Sequence, residues 1–459
     1  MNTDSVIFIS CFLPLCLAGY WLIPRNRGKN WVLLLFGLLF YSFGSLSGLL
    51  VLLASALVNY LLGLFLQKDR CRKGAVIAGV AGNLLLLGAY KYLDFFLSGV
   101  LGLPRPELGL AVPIGISFFT FKSISYLVDT YRSKETGTKS FWDLLLYLSF
   151  FPQVMAGPIT RFREFSPQLQ NRSITLQTTA AGLRRFVLGL SKKLILAGTL
   201  GAVADAVFSL ESGVPDLRLA WLAAISYMLQ IYLDFSGYSD MAIGLGQAFG
   251  FHTPENFAYP YIAPTVGNFW RRWHISLSSW FKDYVYIPLG GNRKGTARAA
   301  LNKAVVFTLC GIWHGAAWNF VVWGLWHGLL SALESLQLIP AKKLENRRIV
   351  GRVYTLLAVC LGFVMFRASS VSQGFEVIGA MFAGFRFTDA ATVLLYRLLN
   401  GETLAILAMS VAACLPWKKW LEGKKWLEPV GYAASLVLLV LCFAKLATGG
   451  FTPFIYAQF

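Results

Sequence analysis

The segment Asn268-Phe269-Trp270-Arg271-Arg272-Trp273-His274-Ile275-Ser276-Leu277-Ser278-Ser279-Trp280-Phe281-Lys282-Asp283-Tyr284-Val285-Tyr286-Ile287-Pro288-Leu289-Gly290-Gly291-Asn292-Arg293 decides how this chain is read. It is too charged to cross a bilayer and too aromatic for an ordinary solvated loop. It sits in a wider interval, about 234–298, where long apolar runs cease. On both sides they return. A hydrocarbon core about 30 Å thick takes roughly 20 apolar residues per straight helix. Runs of that kind stand at 6–23, 31–43, 46–66, 75–90, 109–130, 143–157, 186–208, 218–233, 303–319, 320–337, 352–366, 402–416 and 430–446. Some are short or broken by Gly and Pro, so roughly ten to twelve spans are expected, with re-entrant or interfacial pieces between them. Non-helical backbone at membrane depth survives only when buried in protein or lining a cavity. The central interval is therefore where chemistry is expected.

Composition agrees. Of 459 residues, 56% are hydrophobic, 15% aromatic and 14% charged, and the mean hydropathy is +0.59. Soluble chains carry about 25% charged residues and roughly 45–50% apolar ones. A string of soluble domains and a disordered tail protein are both excluded. A net charge of +19 would suggest nucleic acid in a soluble protein. Here it reads as inner loops facing anionic headgroups, so membrane lipid and not nucleic acid is the expected partner. Arg25, Arg27 and Lys29 follow the first run, and Lys68, Arg70, Arg72 and Lys73 follow the third, while Ser42-Phe43-Gly44-Ser45 between the second and third carries no charge. That pattern places the N-terminus outside and those two basic loops in the cytoplasm. The first run lacks a basic leader and a small-residue cleavage site, so it reads as a retained span. Later basic clusters are Lys342-Lys343 with Arg347-Arg348, and Lys418-Lys419 with Lys424-Lys425 beside Trp417, Trp420 and Trp426. They read as interfacial anchors. No repeat of the solenoid or inverted-transporter kind is evident. One integral membrane domain, 1–459, with a polar-aromatic core segment at about 234–330, is expected.

The chain has four histidines. His252 precedes Thr253-Pro254 in a turn, whereas His274, His314 and His327 sit in Trp-rich, membrane-embedded contexts. An ionisable residue inside a membrane is a functional candidate by default, and imidazole suits proton transfer near neutral pH. Packing against a neighbouring helix is the plainer explanation for each. The seven cysteines are scattered with no CxxC spacing, which indicates neither a zinc site nor a disulfide framework. No HExxH motif is present, and no metal is expected, although glycines at 311, 315, 324 and 328 could bend the path enough to let histidines converge. Cys310 lies four residues before His314, on the same helical face, and is weighed as a nucleophile against a role as small filler. Gly-x-Ser-x-Gly, Walker and dinucleotide fingerprints are missing. A buried histidine without a metal or nucleophile partner suits an electrophile that arrives activated, such as a thioester. Imidazole then only has to take a proton from an attacking hydroxyl while nearby donors hold the developing oxyanion. Asn319, Trp313 and Trp318 are candidate positioning groups. Arg271, Arg272, Lys282, Arg293 and Lys294 could meet donor phosphates or, equally, lipid headgroups.

These motifs resemble the membrane-bound O-acyltransferases. The resemblance rests on Pro254-Glu255-Asn256-Phe257, on the segment quoted first, and on Trp313-His314-Gly315. It extends to Pro113-Ile114-Gly115-Ile116-Ser117-Phe118, Phe151-Pro152-Gln153 to Ala156-Gly157-Pro158-Ile159, Asp234-Phe235-Ser236-Gly237-Tyr238-Ser239-Asp240, Phe366-Arg367-Ala368 and the terminal Pro453-Phe454-Ile455-Tyr456. The branch that acetylates bacterial alginate is the nearest in pattern. The resemblance implies an all-α polytopic fold of about eleven transmembrane helices with re-entrant or interfacial helices around a central tunnel. It implies His314 as the catalytic residue, with His327 and His274 as further family histidines. Trp273 and Asp283 join the substrate-binding set. No tightly bound cofactor is implied. The donor would be a cytoplasmic acyl thioester, acetyl-CoA, in a bacterial cytoplasmic membrane. The acceptor would be an extracytoplasmic polysaccharide, reached through a secreted or anchored partner acyltransferase. Lys122 and Lys282 stand where relatives often carry Gln and Arg, which touches donor affinity rather than reaction class. The D-alanine exporters for teichoic acid, which use a carrier-protein thioester, come second. A transporter of acylated glycan or lipid is the non-enzymatic alternative.

Overall fold

A computed structural model describes residues 2–68, 71–103, 112–210, 213–417, 423–424 and 426–448. Residues 109–111 of one expected span, the basic residues Arg70, Lys418, Lys419 and Lys425, Trp420, and the terminal Pro453-Phe454-Ile455-Tyr456 lie outside the described residues. Regular structure among the described residues is helical, with no strand. Two compact units emerge, Met1–Phe186 with Ser239–Glu255, and Val187–Tyr238 with Asn256–Phe459.

In the first unit a π-helical turn, Phe8–Phe12, leads into α1 (Leu13–Leu22). Next come α2 (Asn26–Ser42) and α3 (Leu46–Leu66), joined by the uncharged turn. Ser45 caps α3 by accepting from the Gly48 N–H at 3.0 Å, which satisfies one of the helix's orphan donors. Further on lie α4 (Arg72–Leu87), α5 (Ile116–Arg132), α6 (Phe141–Ser149), α7 (Phe151–Val154) and α8 (Phe162–Gln170). The apolar run at 143–157 is thus not one span. It breaks at Phe150, and Pro152 takes a first-turn position in α7, where its missing N–H leaves no bond unmade. Phe8, Phe12, Phe40 and Phe151 interlock at centroid distances of 5.3–6.1 Å. Edge-to-face pairs of this kind add about 0.5–1.5 kcal/mol each beyond the area they bury.

The second unit takes the end of α9 (Leu176–Ser191), a π-helical turn at Lys192–Ala197, α10 (Gly198–Phe208) and most of α11 (Leu217–Ala248). α11 corrects the sequence reading, which ended the apolar run at 233. The helix continues fifteen residues further, burying Phe235, Met241, Ile243 and Leu245 while its small residues permit main-chain contact. A Cβ on Gly237 would stand 2.6 Å from the Gly189 carbonyl oxygen, and one on Gly244 would stand 2.5 Å from that of Gly182. The buried Lys193 and Asp234 pair at 2.8 Å, so neither charge is left alone in the apolar interior. After α11 come α12 (Val266–Trp270), α13 (Ile275–Phe281), α14 (Thr296–His314), α15 (Trp318–Ser335), α16 (Ala341–Asn346) and α17 (Arg348–Arg367). α18 (Val371–Ala383), α19 (Asp389–Leu398), α20 (Gly401–Ala413) and α21 (Leu427–Ala447) follow.

Among the described residues, six helices are long and apolar enough to cross a membrane: Leu46–Leu66, Arg72–Tyr92, Leu176–Phe208, Leu217–Ala248, Arg348–Arg367 and Leu427–Ala447. A seventh span is formed if α19 and α20, bent by 63°, are counted together. The molecule is a multi-pass membrane protein.

Candidate functional site

The site grows from a helical hairpin in the second unit. On a continuous helix the thirteen residues between His314 and His327 would turn the two rings to different faces. The chain instead breaks at Gly315, whose extended backbone separates α14 from α15. A Cβ there would lie 2.2 Å from the Phe320 ring, which would have to give way for any larger residue at the corner. The two helices then lie against each other main chain to main chain. A Cβ on Gly311 would fall 2.3 Å from the Phe320 carbonyl oxygen, and one on Gly324 would fall 2.6 Å from that of Phe307.

This contact threads the histidines through indoles. The His314 ring stands edge-on to Trp323 at 5.0 Å and to Phe366 at 5.2 Å, with Trp313 at 4.9 Å. Trp323 in turn meets His327 at 5.1 Å, and Trp270 covers His327 from α12 at 5.0 Å. His327 is fully buried, and neither of its ring nitrogens has a hydrogen-bond partner among the described residues. A packing histidine would normally carry such a bond. A Cβ on Gly362 would stand 2.5 Å from His327 Nε2, so α17 closes on the ring with no side chain between.

His274 reaches the same cluster from the opposite wall, with its ring 6.3 Å from Trp313 and 4.6 Å from Phe235. Its backbone is left-handed, with φ 43°, which is uncommon for a residue with a Cβ and costs on the order of 1–3 kcal/mol. Asn256 holds it there. The Asn256 carbonyl accepts from the Ile275 N–H at 2.9 Å, and Asn256 Oδ1 accepts from the Ser276 N–H at 3.2 Å and the Ser276 hydroxyl at 2.9 Å. A backbone N–H can only donate, so Oδ1 is an acceptor and His274 Nδ1, 3.2 Å away, must donate to it. The imidazole therefore carries its proton on Nδ1 and its lone pair on Nε2. Asn256→Leu keeps the volume and removes three such bonds from a buried site. It is expected to cost about 1–3 kcal/mol, read as a lower thermal midpoint of the purified protein, and an unchanged midpoint would show that these bonds do not hold the turn.

A cavity of about 380 Å³ opens beside these rings, entirely within the second unit. His274, His314, Trp273, Arg271 and Lys282 all line it. Cys310 does too, one turn before His314, as the spacing predicted. Much of its lining is apolar, with Leu277, Phe281, Val306 and Phe307, and its exposed cations are Arg271 and Lys282. Other expected residues stand outside this lining. Asn319 is buried and donates from Nδ2 to the Ala368 carbonyl at 2.8 Å, tying the start of α15 to the end of α17. Arg272 donates to Asn268 Oδ1 and to the Ala258 carbonyl, at 2.7 and 3.0 Å. Trp318 is half exposed, Trp313 is buried next to the cavity, Asp283 lies in a π-helical turn, and Arg293 is on the surface. His252 is exposed in the first unit.

Glu334 was missed by the sequence reading. Its carboxylate accepts from the Val266 N–H at 2.7 Å and the Gly267 N–H at 2.8 Å, and the Tyr354 hydroxyl donates to it at 3.3 Å. With Thr265 Oγ1 accepting from the Asn268 N–H at 3.1 Å, the orphan donors at the start of α12 are satisfied. Trp270 and the His274 turn are held to α15 by this cap. The available signal was an acidic residue inside the apolar run at 320–337. Lys303 and Ser331 also line the cavity, and Lys303 donates to Ser335 at 2.6 Å.

Similarity to known proteins points the same way. Residues 81–372 match the profile of the MBOAT, membrane-bound O-acyltransferase family. The probable alginate O-acetylase of Pseudomonas putida is 36% identical over 492 aligned residues, covering all of both chains. The peptidoglycan O-acetyltransferase of Helicobacter pylori is 35% identical over 418, covering 82% of this chain and 79% of its own. The teichoic acid D-alanyltransferase of Bacillus subtilis is 26% identical over 328, covering 66% and 80% respectively. With that match spanning most of the chain and containing the cavity's histidines, this protein belongs to the membrane-bound O-acyltransferase family and is an O-acyltransferase.

Proposed function

We propose that this chain moves an acetyl group from a cytoplasmic thioester, acetyl-CoA, to a hydroxyl of an extracytoplasmic polysaccharide, directly or through a partner acyltransferase. The observation that carries the reading is the cavity, apolar within and cationic at Arg271 and Lys282, with two buried histidines in its wall. His314 acts as general base. Its imidazole takes the acceptor O–H proton, the oxygen attacks the thioester carbonyl, and the C–O bond forms. The C–S bond then breaks and the thiolate recovers the proton from the imidazolium. His274 positions the reacting groups from the cavity wall, His327 and Asn319 act from outside the lining by holding the hairpin that carries His314, and Arg271 and Lys282 meet donor phosphate. The surrounding fold is a set of about eleven transmembrane helices around a tunnel, in a bacterial cytoplasmic membrane with the N-terminus outside. The P. putida and H. pylori relatives, named for alginate and peptidoglycan, support a glycan acceptor.

Similarity to the B. subtilis D-alanyltransferase favours one second reading, transfer of an alanyl group from a carrier-protein thioester. Vesicles holding the purified chain separate the two. Acetyl-labelled CoA presented on one face and acceptor glycan with partner on the other should give labelled glycan. Labelling from D-alanyl carrier protein instead would establish the second reading. Passage of preformed acylated glycan without thioester loss would establish a transporter.

A further inference from the structure

A second, smaller cleft of about 80 Å³ lies in the first unit, between the first turns of α2 and α6. Arg27, Asn30 and Trp31 line it from α2, and Trp142 and Asp143 from α6, above Leu34. Trp31 and Trp142 stand 5.1 Å apart, each about half exposed. Indoles beside a basic loop mark the headgroup level of a bilayer.

The polar groups are set for a ligand with charges of both signs. Among the described residues, Arg27 and Asp143 share the cleft without a contact ion pair, although the Arg27 charge is felt at the Asp143 carboxylate, which the Ser140 hydroxyl also bonds. Opposite charges left apart at a membrane surface offer one pole each to a zwitterion. Asn30 donates from Nδ2 to the Leu169 carbonyl at 3.1 Å, which fixes its amide and leaves the buried Oδ1 without a donor. That oxygen, the Asp143 carboxylate and two indole faces suit an N–H-bearing cation. The Arg27 guanidinium suits a phosphate.

We propose that this cleft binds the headgroup of phosphatidylethanolamine. Arg27 holds the phosphate, Asp143 and Asn30 Oδ1 accept from the ammonium, and the acyl chains leave past the half-exposed Trp31 and Trp142 into the bilayer. A headgroup that is only anionic would set its charge against Asp143. A choline headgroup brings no N–H for Asn30. Free phosphoethanolamine shares the chemistry of the headgroup but lacks the chains.

Native mass spectrometry of the full chain in detergent tests this, with phosphatidylethanolamine, phosphatidylglycerol and phosphatidylcholine of equal chain length. Phosphatidylethanolamine should be retained roughly tenfold over each of the others, the ratio expected for one charge-assisted hydrogen bond. Asp143→Asn and Arg27→Gln should each bring that preference to within about twofold. Phosphoethanolamine alone should displace the lipid only in large excess. Equal retention of the three lipids by the unsubstituted chain would overturn the proposal, with no variant needed. So would a preference that survives both substitutions. Displacement by phosphoethanolamine at equal concentration would assign the cleft to a soluble amine phosphate instead.

Discussion

Replacing His314 with alanine is expected to lower acyl transfer by about 10²–10⁴-fold, the usual contribution of a positioned general base. The ring lies in the cavity wall, clasped by Trp313, Trp323 and Phe366. Nothing else in that clasp can take a proton from a hydroxyl, because indoles donate only and Phe does neither. Alanine also leaves a hole, and deleting a buried ring costs about 3–5 kcal/mol of stability. His314→Gln fills much of that volume without supplying a base, so it should lose the same activity while retaining a near-normal thermal midpoint. Transfer of labelled acetyl from thioester to glycan in vesicles gives the readout. Activity within twofold of the unsubstituted protein in the glutamine variant would move the base elsewhere.

Gly324→Val should be as damaging by a different route. Its added Cβ would stand 2.6 Å from the Phe307 carbonyl oxygen and 3.2 Å from Gly311 Cα, and both obstacles are main chain. A side-chain clash relaxes by changing rotamer, whereas two helix backbones can only move apart. Overpacking of a close core costs about 1–3 kcal/mol even where side chains can yield, so most of the hairpin's mutual packing is forfeit here. The expected result is a large loss of folded protein after detergent extraction, with the remainder inactive. Gly379→Val is the control, since a Cβ there meets nothing within 4 Å. Equal yield and activity from both variants would show that the hairpin does not depend on backbone contact.

Much of this was legible in the sequence for a physical reason. Apolar runs report burial in lipid directly, and histidine is too scarce in such runs to be overlooked. His274 and His314 duly line one cavity. What was not legible depended on partners distant in the chain. Asn256 is one polar residue among many until Ser276 and His274 fold back on it. Glu334 is a lone acid in an apolar run until the start of α12 arrives at its carboxylate. The end of α11 misled for another reason. Hydropathy measures side-chain transfer, and that helix is held at Gly237 and Gly244 by main-chain contacts that hydropathy does not register.

The Glu334 cap also bears on how a donor gets in. A carboxylate from α15 grips the amino end of α12 at two N–H groups, so the wall bearing Trp270 is fastened to the helix that carries His327. Such a wall is braced at its base. Arg271 and Lys282 mark the exposed edge of the cavity, the entry that the proposed function implies, and the capped wall gives that edge its frame. On the proposed reading, a thioester donor meets that frame before it meets His314.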